Sequence, residues 1–301
     1  MSTHFSSAHL TPQSTLPPAI QAWKIYLADQ GNSVHTVKAF VHDLELLAKF
    51  LSPTRTLGSI TTADLNHFLN WLQKGRGVPC SPKTLSRRIT SLKSFFRWLH
   101  QYAVLPSNPA EKLVQHSVLS PLPVVLTPEE VDRVMEVCQK YRQAKKPDAR
   151  YFALFYLLIS TGIKKTECLA LNLNHLELAQ TSTPYLFVRY TNPQYRYKER
   201  KIPLPQDWIE GFEEYRNQYE IKDRVFPWSQ RRLEYLLEDL SQEAGLEKHI
   251  SFDMCRWTCA LLDLQSGMEK NAIRQKLGLS KVQWREIGMK LDQLANSIFT
   301  P

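Results

Sequence analysis

The sequence predicts a mainly α-helical protein of two domains, with one small β-hairpin in the second. Three observations carry this. Apolar residues recur at three- and four-residue spacing along much of the 301-residue chain. An uncharged segment with two prolines, residues 114–126 (VQHSVLSPLPVVL), divides it. Two strand-like runs, Tyr185–Tyr190 and Lys201–Leu204, flank a polar turn rich in Tyr, Lys and Arg.

In the first domain, residues 19–113, the helical pattern runs from Ile20 to about Leu113. Val37, Phe40, Val41, Leu44, Leu47 and Leu51 form one stripe, and Leu65, Phe68, Leu69 and Leu72 the next. Thr62, before Ala63 and Asp64, is the expected cap of that second helix. Ser81-Pro82 opens a longer helix to about Tyr102, since serine caps and proline suits the first helical position. Its apolar stripe is Leu85, Ile89, Leu92, Phe96 and Leu99. A short helix around Pro109–Leu113 is expected to close a four-helix domain. Residues 1–18 have no basic stretch leading into an apolar run, so they read as a disordered arm and not a signal peptide.

The second domain, residues 127–301, starts at Thr127-Pro128-Glu129-Glu130, a capping-box pattern. An apolar helix around Tyr151–Ser160, another from about Lys165 to Leu171, the hairpin, and further helices to the C-terminus follow. In the tail, Leu291, Leu294 and Ile298 keep helical spacing, and the sequence leaves open whether they dock on the same chain or on a neighbour.

Composition narrows the function. No apolar stretch approaches the ~18 residues of a membrane span. The five cysteines are odd in number and match no zinc spacing, and His35, His42 and His67 have no ligand partners at useful spacing, so neither metal nor cofactor is expected. Free thiols suit a reducing cytoplasm. The net charge of +9 is uneven: residues 1–126 hold 12 Lys/Arg against 5 Asp/Glu, and the remainder 26 against 24. A basic first domain suits a polyanionic partner, and a plain solubility charge is the alternative.

The helix from Ser81 to Tyr102 carries Lys83, Arg87, Arg88, Lys93 and Arg97 opposite its apolar stripe. Lys83 and Arg87 are four apart and share a face, and Arg97 lies within about 80° of it. A basic helix on a small core can enter a major groove, with most side chains on phosphates and one or two on base edges. Phe95, Phe96 and Trp98 on the same helix read as core packing.

Several segments, in order, resemble the tyrosine recombinases of the phage-integrase family. SPKTLSRRITSLKSFFRWLHQYAVLPSNPAEKL (Ser81–Leu113) and NSVHTVKAFVHDLELLAKFL (Asn32–Leu51) are similar to its core-binding domain. STGIKKTECLALNLNHLEL (Ser160–Leu178), YKERKIPLP (Tyr197–Pro205), SFDMCRWTCALLDLQSG (Ser251–Gly267) and KLGLSKVQW (Lys276–Trp284) are similar to its catalytic boxes. The resemblance covers about residues 20–290 and implies a SAM-like helical domain and a catalytic-type domain closing as a C-shaped clamp around duplex DNA. It turns Thr36 and Lys38 of the first domain, and Lys164, Lys198, Arg200 and Arg256 of the second, towards DNA.

The family's reaction is a metal-free phosphoryl transfer: a tyrosine attacks a DNA phosphate, two arginines and further donors stabilise the charge, and a lysine protonates the leaving oxygen. Carried over by motif, the first arginine falls at Lys164, the hairpin lysine at Tyr195 with Lys198 nearby, the histidine at Asp253, the second arginine at Arg256, the next donor at Leu279 and the nucleophile at Gly288. Only Arg256 is retained, and the last tyrosine of the chain is Tyr235, upstream of it. Lysine at 164 keeps charge but loses the bidentate fork. Asp253 would repel a phosphate. The resemblance therefore implies a DNA-binding protein that does not cut, accessory, architectural or regulatory in recombination. Alternatives are a non-cutting partner that completes a complex with an active tyrosine recombinase through the tail, and a recombinase using another nucleophile. Arg256 pairing structurally with Glu167 or Asp253, and Lys164 with Lys165 as a solvated pair, are the structural alternatives to phosphate contact.

Overall fold

In the computed structural model the chain divides into two compact units, residues 1–121 and 122–301. The structure describes residues 10–115, 121–178 and 183–299. The division falls inside the proline-containing segment. Gln115, at its start, donates to the Ser86 carbonyl, while Val125 and Leu126, at its end, are buried in the second unit.

The first unit is a four-helix core of α1 (Leu16–Asp29), α2 (Val34–Phe50), α3 (Thr62–Asn70) and α4 (Pro82–Gln101). Proline in the first turn of α1 costs no hydrogen bond, and Leu16, Ala19, Ile20, Trp23 and Leu27 turn inwards at three- and four-residue steps. Ser33 and Ser81 cap α2 and α4 by accepting from the main-chain N–H of Thr36 and Thr84. On α4, Ile89, Leu92, Phe96 and Leu99 of the expected stripe are buried and Leu85 is half-buried, and Phe95 is buried beside them.

Three details differ from the sequence reading. The cap of α3 is Thr61, not Thr62, because Thr61 and Asp64 satisfy each other's N–H groups in a reciprocal box. Residues 109–113 form turns and no helix: Asn108 accepts from the Ala110 N–H, a local bond that competes with a helix start. The fourth helix is α1, so residues 10–18 belong to the fold and not to an arm. The Leu57 and Gly58 N–H groups donate to the Ser14 and Pro12 carbonyls there. The arm's residues 1–9 lie outside the described residues.

The second unit is built around α6 (Arg150–Thr161), buried on nearly every side. Around it stand α5 (Pro128–Arg142), α7 (Lys165–Leu169), α8 (Gln206–Gln218), α9 (Gln230–Glu243) and α10 (Phe252–Gln265). The hairpin is the larger part of a three-stranded antiparallel sheet, β1 (Leu176–Glu177), β2 (Tyr185–Val188) and β3 (Arg200–Pro203). A two-residue β1 is too short to show an alternating pattern. Register opposes Leu186 to Ile202 and Val188 to Arg200. Arg200 therefore shares the inward face with Ile202, at the end of β3 next to the turn.

The chain ends in α11 (Lys270–Lys276) and α12 (Lys281–Phe299). Leu291 and Leu294 of α12 are buried in one cluster with Leu261, Ile273, Leu277 and Leu279 of the same unit. Lys270 adds a 2.8 Å bond to Asp292. The tail thus packs on its own chain here. Among the described residues, no helix is long and apolar enough to cross a membrane.

Candidate nucleic-acid interface

The basic side of α4 is not uniform. Lys83 and Arg97 are exposed and Lys93 is half-buried. Arg87 and Arg88 converge instead on Asp43 of α2, a carboxylate only 1% exposed. Arg87 holds it through both terminal nitrogens, at 2.5 and 3.0 Å, and the Ser91 hydroxyl donates at 2.7 Å. The Arg87 side chain stays 38% exposed, so its outer edge faces solvent. Arg88 is buried, with one nitrogen 3.4 Å from the Cys80 sulfur. The expectation that Arg88 faces DNA is therefore corrected: a buried charge must be paired, and Asp43 pairs it. Lys38 is exposed on α2, and the Thr36 hydroxyl lies 2.8 Å from that of Ser33.

In the second unit, Glu167 of α7 organises a cluster. Arg200 reaches it bidentately, 3.0 Å at each oxygen. The Lys164 N–H donates to it at 2.8 Å, and the Tyr190 hydroxyl donates as well. Burial opposes ionisation of Glu167, but Arg200 and these donors outweigh it and hold the carboxyl at about 2. Burial lowers the Lys164 ammonium, and Arg256, Lys198 and Arg200 push the same way against Glu167. Three cations, Arg200, Lys164 and Arg256, thus feel one carboxylate.

Two of those cations hold the unit together. Arg200 also donates to the carbonyls of Lys276 at 2.5 Å and Lys198 at 3.2 Å. Its side chain is 9% exposed with every nitrogen engaged, so the expectation that it faces DNA is corrected. Arg256 of α10 pairs with neither Glu167 nor Asp253. It donates to the carbonyls of Gly162 and Leu277. Two glycines of the resembling motifs, Gly162 and Gly278, serve these arginines. Gly162 and Gly278 adopt φ of 59° and 60°, and a Cβ at 278 would lie 2.7 Å from an Arg200 nitrogen.

The remaining motif positions carry side chains suited to packing or solvent. Asp253 is exposed in the first turn of α10, where a carboxylate complements the helix N-terminus. Leu279 is buried in the small apolar cluster. Gly288 is buried within α12, and a Cβ there would lie 3.3 Å from the Trp284 indole. Tyr195 lies in the turn between β2 and β3, with the Lys198 ammonium 4.6 Å from its ring centre. A cavity of about 620 Å³ lies beside Arg256. Lys164 and Lys165 also line it, and Glu234, Glu238 and Asp253 balance these three cations.

Sequence reasoning missed Asp43 and undervalued Glu167. The Glu167 signal was present, since a glutamate three residues after a helix start is the capping-box pattern. Asp43 gave a weaker one, a lone carboxylate among the apolar positions of α2.

A four-helix unit followed by a helical unit with a small sheet, and two largely enclosed arginines near a hairpin turn, define a two-part, recombinase-like class of protein. Comparison with known families agrees. The phage integrase N-terminal SAM-like domain matches residues 20–102, and the phage integrase family matches residues 124–286. The chain belongs to the phage integrase family, the tyrosine recombinases. Among its relatives, tyrosine recombinase XerC of Roseiflexus castenholzii is 27% identical, covering 89% of this chain and 87% of that protein. Tyrosine recombinase XerD of Listeria innocua is 24% identical over 87% and 89%. In fold, the chain is similar to a lambda integrase dimer bound to a core site (TM-score 0.70, 15% identity, 91% of this chain and 77% of that one). It is equally similar to XerH recombinase bound to a palindromic difH substrate (TM-score 0.70, 18% identity, 97% and 91%).

Proposed function

We propose that this chain binds duplex DNA and does not cleave it, serving as an accessory, architectural or regulatory protein in DNA recombination. The observation that carries the reading is position 288: where the resembling motif has its nucleophile there is a buried glycine, and no tyrosine follows Tyr235. The surroundings point the same way. Asp253 and Leu279 replace donors to the phosphate, and losing one such donor typically costs ~10²–10³ in rate. Lys83, Arg97 and the free edge of Arg87 support the binding half, as do relatives named as recombinases and fold neighbours solved on DNA.

The test has two arms. Selection from a random duplex pool at near-physiological salt should enrich a half-site of about a dozen base pairs. Nicked suicide substrates built on that site should give no protein–DNA adduct that survives SDS. An adduct would overturn the non-cutting half, and a pool without enrichment would overturn specific binding by the isolated protein.

A further inference from the structure

We infer that the turn between β2 and β3 is a finger that stacks on unpaired or unstacked DNA bases, an inference that rests on the DNA-binding reading above. The segment 189–201 (RYTNPQYRYKERK) carries three tyrosines and five cations. Residues Pro193–Lys198 form a 3₁₀ stretch, in which side chains three apart eclipse. Tyr195 and Lys198 are such a pair, and the ammonium sits 4.6 Å from the Tyr195 ring centre and 5.2 Å from that of Tyr197. Neither ring is in the core: Tyr195 is 37% exposed and Tyr197 71%.

The turn is braced from within. The Asn192 side chain accepts from the Gln194 N–H at 3.0 Å, and Glu199 accepts from the Tyr190 N–H at 2.9 Å across the neck. The Tyr190 ring stands 6.0 Å from that of Tyr195. A partner would therefore meet a Tyr195 ring already held in place, with little ordering cost.

The chemistry of the partner follows from this pairing of flat rings with cations. Arg189, Arg196 and Lys201 are exposed, and Glu199 is tied to the neck. Cations around the rings attract a polyanion, but a ring face repels phosphate oxygens, so the faces suit something flat and uncharged. A nucleobase on a phosphate backbone has both properties. Bases inside an intact duplex cover one another and offer only their edges in the grooves. The rings can meet a base face only where pairing or stacking is broken.

The test uses the full chain and two fluorescent probes, a fully paired duplex and the same duplex with a short central run of thymine–thymine mismatches. The wild type should bind the mismatched probe about tenfold more tightly. Tyr195→Ala/Tyr197→Ala should lose that margin and keep its affinity for the paired probe. Tyr195→Phe/Tyr197→Phe, which keeps the ring faces, should retain the margin. Urea melting checks that the variants fold alike. Equal wild-type affinity for the two probes would overturn the finger and leave duplex binding standing. Equal loss on both probes in the alanine variant would also overturn it, since the tyrosines would then serve general binding. Wild type that binds neither probe would overturn the DNA-binding reading itself.

Discussion

Each unit buries one carboxylate to hold an arginine pair or an arginine cluster, and the two arrangements end differently. In the first, Asp43 takes Arg87 and Arg88 together, yet Arg87 keeps 38% of its side chain in solvent. In the second, Glu167 takes Arg200, whose side chain is 9% exposed and whose remaining nitrogen bonds a main-chain carbonyl. The same residue chemistry yields a pre-positioned surface cation in one unit and a structural tie in the other. Charge in a motif is therefore no measure of charge offered to a ligand. What decides is how many of the guanidinium's donors the fold has already engaged.

The largest effect should come from breaking the tie in the second unit. Glu167→Gln leaves Arg200 buried beside a neutral amide, and losing one partner of a buried pair costs about 3–5 kcal/mol. Urea unfolding should show this loss. Glu167→Gln/Arg200→Met, which removes the charge from both sides, should recover much of it, and no recovery would mean that Arg200 matters chiefly through its carbonyl bonds. Acid gives a second reading of the same pair. The Glu167 carboxyl is held at about 2 against an ordinary 4.5, so its folded pKa is depressed. Its contribution is complete above about pH 4.5 and is lost as pH falls towards about 2. The stability of Glu167→Gln should accordingly converge on that of the wild type across this window.

Asp43→Asn should cost somewhat less, about 3 kcal/mol: Arg88 is left buried without its charge partner, while water can still solvate the exposed edge of Arg87. Its functional consequence should be larger than its stability loss suggests. An Arg87 released from Asp43 can swing, and affinity for duplex should fall several-fold even under conditions where the variant is fully folded. Unchanged affinity would show that the Asp43 clamp only stabilises α2 against α4, and the contrast between the two units would shrink to one of exposure.

Lys83→Gln and Arg97→Gln remove cations with no clamp. Each should leave stability within about 0.5 kcal/mol and reduce the slope of log affinity against log salt by about one. A variant that changes neither affinity nor slope would take its residue off the interface.

The overall order of helices, the Ser81 cap of α4 and the hairpin were legible in the sequence because they follow from local rules: spacing, a serine before a proline, alternation. The family resemblance was legible because motif order survives when individual residues change. The partners of the arginines were not legible. Asp43 and Arg87 are 44 positions apart, and Glu167 and Arg200 33, so no local pattern connects them. α1 was only half visible, since its first buried residue, Leu16, precedes the prolines and falls in what reads as a polar arm. Which residues the tail packs against was a question of three-dimensional complementarity, since Leu291 and Leu294 meet Leu261, Ile273, Leu277 and Leu279.

The smallest effect concerns position 288, a glycine within the packed face of α12. Gly288 lies inside α12, and glycine in a helix interior is about 1 kcal/mol less favourable than alanine. Against that gain stands the Trp284 indole, 3.3 Å from where the new Cβ would sit. Trp284 precedes Gly288 by one helical turn and is only half-buried, so its ring can shift outwards by the few tenths of an ångström required. Gly288→Ala should therefore stabilise the protein slightly, by less than about 1 kcal/mol, in urea unfolding. A loss instead would show that the indole is locked in place and that α12 depends on the bare backbone at this point. The position would then be shaped for close packing as firmly as Gly278 is beneath Arg200.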